Sequence, residues 1–128
     1  MRGADMNDLR VAIVSIPVAD QNRARDFYRD KLGFKVVIEK PMGPSQSWIQ
    51  LVGPNGGATI TLVTWFDSMP AGSLRGLVVE TSNIDAEQKR LRAAGVDIDD
   101  VKNEPWGRYA SLRDSEGNGL VLMTPMGR

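Results

Sequence analysis

Three landmarks recur along this chain at one offset, and that recurrence constrains the fold more than any other feature. Asp20 has a counterpart in Asn83, Gly33 in Gly95, and the Asn55-Gly56 pair in Asn118-Gly119, each about 62 residues later. A polar residue suited to capping a helix, a glycine suited to ending it and a turn pair, repeated in the same order, describe two copies of one supersecondary unit.

In the first copy, residues 9–16 are rich in branched apolar side chains and stop at Pro17, which has no N–H for a sheet ladder; they are expected to form a strand. A helix follows behind Asp20, with Ala24, Phe27, Tyr28 and Leu32 on one stripe and arginines outside it, up to Gly33. Residues 34–39, 47–52 and 58–64 read as strands, the last two joined by a hairpin-type turn at 53–57, with a Pro/Gly loop at 40–46. The second copy repeats the order: a strand at 75–81, a helix at 85–94 capped by Asn83 or Asp85, strands at 96–101, 108–113 and 120–124, and a loop at 103–107. The expected class is α+β, one domain over residues 1–128 built of a β-α-β-β-β module at 9–65 and another at 75–124.

Such a module covers one sheet face with its helix and leaves the other bare, so two modules are expected to set their bare faces around a shared cleft. Alternation along each strand selects the inward side chains. These are Ile13 and Ser15, Trp48 and Gln50, Thr59, Thr61 and Val63, Gly76 and Val78, Tyr109 and Ser111, and Gly119, Val121 and Met123. A slip of one residue would invert any of these assignments.

Composition narrows the chemistry. Sixteen basic and sixteen acidic side chains cancel among 128 residues, so no net field favours nucleic acid or an anionic membrane, and neither is an expected partner. Cysteine and histidine are both absent, which removes thiolate and imidazole nucleophiles and metal ligands, and fits a reducing, cytoplasmic setting. Residues 1–6 contain no apolar run of leader length, and no later stretch has the length of a membrane span.

Asp20, Arg23, Ala24, Phe27, Tyr28, Leu32, Gly33 and Phe34, followed by Asn83 to Glu87, Leu91 to Gly95 and Arg113 to Asn118, resemble the vicinal-oxygen-chelate superfamily. That group includes glyoxalase I, bleomycin-resistance proteins, fosfomycin-resistance enzymes and extradiol dioxygenases, and the resemblance runs from about Leu9 to Thr124. It implies a homodimer, and in metal-dependent members it implies His, Gln or Glu ligands at four inward strand positions. Those positions here hold Ile13, Thr61, Gly76 and Val121. They offer one neutral hydroxyl, and their strand neighbours offer no typical ligand, so neither a metal nor another cofactor is expected.

The remaining candidates are few. Glu80 is the one carboxylate on the inward phase; it would serve as a general base only with a raised pKa and a reactive partner, and otherwise is a strand-end carboxylate in water. Trp48, Trp106 and Trp65 suit the wall of a site for a flat organic ligand, or alternatively a core or dimer interface. Arg108 could orient an anionic ligand or lie solvated at a strand end. Three functions follow. The first is metal-free binding of a small, partly aromatic molecule through Ile13, Ser15, Trp48, Gln50, Thr59, Thr61, Gly76, Trp106, Tyr109, Ser111 and Val121. The second is a lyase, isomerase or dioxygenase-type enzyme with divergent or no metal, and the third is an accessory or regulatory domain. Whether the cleft closes within one chain or against a partner copy stays open at this level.

Overall fold

In the computed structural model, which describes residues 7–125, the two copies form two mixed sheets with one helix each. The first unit runs β1 (Ile13–Pro17), α1 (Gln21–Asp30), β2 (Lys35–Pro41), β3 (Ser47–Val52) and β4 (Thr59–Val63). The second runs β5 (Arg75–Glu80), α2 (Ile84–Ala93), β6 (Asp97–Ile98), β7 (Lys102–Glu104), β8 (Gly107–Arg113) and β9 (Gly119–Pro125). The sheets have equivalent orders, β1-β4-β3-β2 and β5-β9-β8-β6, with β7 also on β8. The first strand of each unit lies parallel to the last and forms one free edge. The expected α+β class holds. The reading of residues 1–6 as carrying no leader lies outside the described residues.

Local chemistry explains the helix limits. Asp20 accepts a hydrogen bond from the Arg23 N–H at 3.0 Å, and Asn83 accepts one from the Ala86 N–H at 3.2 Å. Of the two caps open to the second helix, Asn83 is therefore the one used, which leaves Asp85 free to pair elsewhere. Gly33 and Gly95 take φ of +75° and +88°, a left-handed turn that a side chain would strain.

Several strand boundaries differ from expectation. The first strand starts only at Ile13, because β4 begins at Thr59 and offers no ladder partner further upstream. Leu9 and Val11 are consequently 93% and 71% exposed. The expected strand at 96–101 shrinks to Asp97–Ile98, and a short strand, Lys102–Glu104, overlaps the start of the expected loop at 103–107. Glu104 pairs with Gly107, so Pro105 and Trp106 form the two-residue turn of a hairpin, where a missing proline N–H costs nothing.

One apolar cluster joins both units. Tyr28, Ile16, Ile49, Leu51 and Leu62 come from the first, and Leu91, Leu112 and Leu120 from the second. The seam is tied by the segment following β8. Asp114 accepts hydrogen bonds from the Tyr28 hydroxyl (2.7 Å), from Asn118 Nδ2 (2.9 Å) and from the N–H groups of Glu116 and Asn118. Asn118 Nδ2 also donates to the Pro17 carbonyl (2.9 Å), and its Oδ1 accepts from the Leu74 N–H (3.0 Å). Glu116, its side chain fully buried, accepts from the N–H groups of Ala19 and Asp20, from the Ser115 hydroxyl and from both edge nitrogens of Arg23. Burial pushes the Glu116 carboxyl up, but the Arg23 guanidinium, the two backbone donors and Ser115 outweigh it and hold it at about 2. No helix among the described residues is long and apolar enough to cross a membrane.

Candidate functional site

Apart from the start of β5, the burial observed along the strands follows the alternation read from the sequence. Ile16, Ile49, Leu51, Ile60 and Leu62 enter the core of the first unit, and Ala110, Leu112, Leu120 and Leu122 that of the second. Their neighbours turn to the opposite, inward face of each sheet. On the first sheet Ile13 lies beside Thr59, and Ser15 beside Thr61, which in turn lies beside Gln50. Thr61 is only 1% exposed, so its hydroxyl is beneath the surface that a ligand would meet.

The inward face of the first sheet carries a directed polar relay. Trp48 Nε1 donates to Gln50 Oε1 at 3.0 Å, Gln50 Nε2 donates to Thr59 Oγ1 at 2.9 Å, and Thr59 Oγ1 donates to the Ala12 carbonyl at 3.1 Å. This chain fixes the Gln50 amide and presents the Trp48 ring beside it. Trp48 stacks on Trp65, with centroids 6.3 Å apart and planes at 22°. The second sheet has a matching pair, Trp106 on Tyr109, at 5.3 Å and 20°. Trp106 is 55% exposed. Neither pair contacts the other: each aromatic wall belongs to its own unit.

The concavities divide the expected residues. A groove of about 1020 Å³ lies between the units, lined from the helix-covered side by Val14, Ile60, Leu77, Val79 and Leu122. Of the expected site residues only Thr59 and Glu80 reach it. It is a seam between the units, not a pocket on the inward faces. A smaller hollow of about 350 Å³ sits on the second sheet and brings together Gly76, Ser111 and Val121 with Arg75 and Gly119. Trp48, Gln50, Ile13 and Ser15 stand on the other sheet, outside both.

Two arginines exchange the roles that their sequence positions suggest. Arg108 is taken by Asp85 through two hydrogen bonds of 2.8 and 3.0 Å and by Asn103 at 2.7 Å, so it faces α2 and not a ligand. Strict alternation would put Gly76 inward and Arg75 outward. The ladder instead pairs Arg75 with Gly119 and Leu77 with Leu120, leaving Gly76 as an unpaired bulge at φ +82°. Arg75 thereby shares the inward phase with Val78 and Glu80. The glycine inside a strand pattern was the one sequence signal for this bulge.

The four positions expected to hold metal ligands in related proteins do not fit a divalent ion. Ile13, Gly76 and Val121 have no donor side chain, and Thr61 has a buried hydroxyl. Among the described residues no group of three His, Cys, Asp or Glu is placed to hold a metal. Glu80 is exposed at the end of the edge strand β5, in register with Met123.

Residues 10–122 match the family model described as Glyoxalase/Bleomycin resistance protein/Dioxygenase superfamily. The uncharacterized protein YetH of Bacillus subtilis (strain 168) is 31% identical over 117 residues, covering 88% of this chain and 96% of YetH. Among solved structures, TnmS3, an antibiotic binding protein from Streptomyces sp. CB03234, superposes with a TM-score of 0.88 at 40% identity, covering 94% of this chain and 99% of its own. A glyoxalase/bleomycin resistance protein from the same organism gives 0.80 at 41% identity, covering 90% of this chain and 100% of its own.

Proposed function

Since this chain belongs to the Glyoxalase/Bleomycin resistance protein/Dioxygenase superfamily, we propose that it binds a small, partly aromatic organic molecule on its inward sheet faces without a metal ion. The observation that carries this reading is the stacked aromatic pair on each inward face, Trp48 on Trp65 and Trp106 on Tyr109. Flat apolar walls beside a few oriented polar groups suit a planar ligand, and the Trp48–Gln50–Thr59 relay supplies such groups. A structural neighbour described as an antibiotic binding protein supports the same class of ligand. In this reading the ligand meets Ile13, Ser15, Trp48, Gln50, Thr59, Gly76, Trp106, Tyr109, Ser111 and Val121, with Thr61 buried beneath them, within one cytoplasmic domain spanning residues 1–128.

The same reading includes a homodimer. Ile13 and Val78, both on inward faces of the free edge strands β1 and β5, are 44% and 47% exposed. The two aromatic walls of one chain do not meet. A second copy that set its inward face against the first would cover this apolar area and complete a cleft with a wall on each side.

Titration of tryptophan fluorescence with aromatic metabolites and glycopeptide drugs tests the proposal. Emission of Trp48 or Trp106 should change saturably, and replacing either by alanine should weaken binding. Tryptophan substitutions that weaken self-association while no compound perturbs emission would make the walls an interface instead. Elemental analysis should find no stoichiometric Zn, Ni, Fe or Mn; one tightly bound equivalent would overturn the metal-free reading.

A further inference from the structure

Resting on that reading, the geometry points to an anion subsite at one end of the second sheet's inward face, built by Arg75 and Arg113 on either side of Gly119, which takes a carboxylate group of the ligand. The register puts these three residues in one row across β5, β9 and β8, since Gly119 pairs with both Arg75 and Arg113. Two strand spacings separate the arginine backbones by about 10 Å, and the hollow of about 350 Å³ lies over this row, with Ser111 and Val121 in the next.

Three details make Arg75 the principal receptor. Its Nη1 donates to the carbonyls of Gly72 (2.6 Å), Leu74 (2.8 Å) and Gly117 (3.4 Å), which anchors the guanidinium. Among the described residues no carboxylate pairs with it, and neither Nε nor Nη2 has a partner. Those two nitrogens form the edge that makes parallel, bidentate bonds to a carboxylate. Gly119 is what allows this placement: a Cβ there would stand 2.9 Å from Arg75 Cδ and 3.7 Å from Nε, so the arginine stem lies across the glycine on the inward face. Arg113 is held loosely, by Asp97 at 3.9 Å and Asp99 at 3.5 Å, which offset its charge and leave it a secondary donor. By contrast, Arg108, Arg90 and Arg23 each spend their guanidinium on a carboxylate at 2.7–2.8 Å.

The test uses the full chain and two probes of equal shape, 2-naphthoate and its neutral amide, measured by calorimetry, with acetate followed through arginine Nε–H resonances by NMR. Naphthoate should bind about tenfold tighter than the amide, as a charge-assisted contact implies. Arg75→Gln should bring the two affinities within about twofold of each other, chiefly by weakening naphthoate, and Arg113→Gln should narrow the preference less. Gly119→Ala, which keeps the arginine but displaces its stem, should act like Arg75→Gln and guards against a folding defect in that variant. Acetate should move the Arg75 resonance saturably. Equal affinity of the two naphthalene probes, or an acid preference that survives both Arg75→Gln and Gly119→Ala, would overturn the subsite while leaving the aromatic reading intact. If neither naphthalene compound binds but acetate still moves Arg75, the aromatic reading falls and the subsite stands; an Arg75 resonance that acetate leaves unmoved refutes the subsite.

Discussion

Replacing Glu116 by glutamine is expected to loosen the seam between the units in a manner that depends on pH. Its carboxylate accepts from Ala19, Asp20, Ser115 and Arg23 together. A carboxyl held at about 2 instead of 4.5 favours the folded state at neutral pH by about 3 kcal/mol, at 1.36 kcal/mol per pH unit. Arg23 is 56% exposed, so water screens part of that, and about 2 kcal/mol is the expected loss in Glu116→Gln. The sign follows from the direction of the displacement. With the folded-state pKa depressed, the stabilisation is complete above the unfolded value near 4.5 and disappears as pH falls through about 2. Urea unfolding at a series of pH values checks this. The wild type should exceed the variant by about 2 kcal/mol at pH 7, and the two should converge towards pH 2. A constant difference across that window would mean that glutamine disturbs packing and that the charge contributes nothing.

Tyr28→Phe removes the hydroxyl donated to buried Asp114 at 2.7 Å and should cost about 1–3 kcal/mol by thermal or urea unfolding. Burial and the neighbouring Asp114 push the Tyr28 phenol well above the ordinary range, so an alkaline ultraviolet titration should show it ionising only as the protein unfolds. Gly72→Ala should destabilise by about 2–3 kcal/mol in the same assay, because φ is +78° and the new Cβ would collide with the Glu116 carbonyl. Sedimentation equilibrium should show a dimer, and a charged residue at the exposed apolar position Val78 should shift it towards monomer by at least tenfold in dissociation constant, as about 1.4 kcal/mol of lost burial requires.

Much of the frame is legible in the sequence because it rests on local rules. Asp20 and Asn83 cap, Gly33 and Gly95 turn left-handed, and Ala24 and Tyr28 share a buried stripe, all within a few residues of sequence. Strand alternation also placed Ile13, Trp48, Thr59, Tyr109 and Val121 on the inward faces, since a period of two needs no partner to be read. The second turn motif was legible as a turn and not as the seam, because the bonds from Asp114 to Tyr28 and from Asn118 to Pro17 join residues 86 and 101 positions apart.

The candidate site divides in the same way. The sequence by itself determined a duplicated β-α-β-β-β plan, a residue set without imidazole or thiolate, and which aromatic side chains the chain carries. Only the tertiary structure decided which of them meet. Cross-strand and through-space geometry stacks Trp48 on Trp65 and Trp106 on Tyr109, commits Arg108 to Asp85, and through one bulge at Gly76 brings Arg75 over Gly119. A single extra residue in a ladder reverses the phase of everything before it, and pairing partners, not local composition, fix where that residue falls.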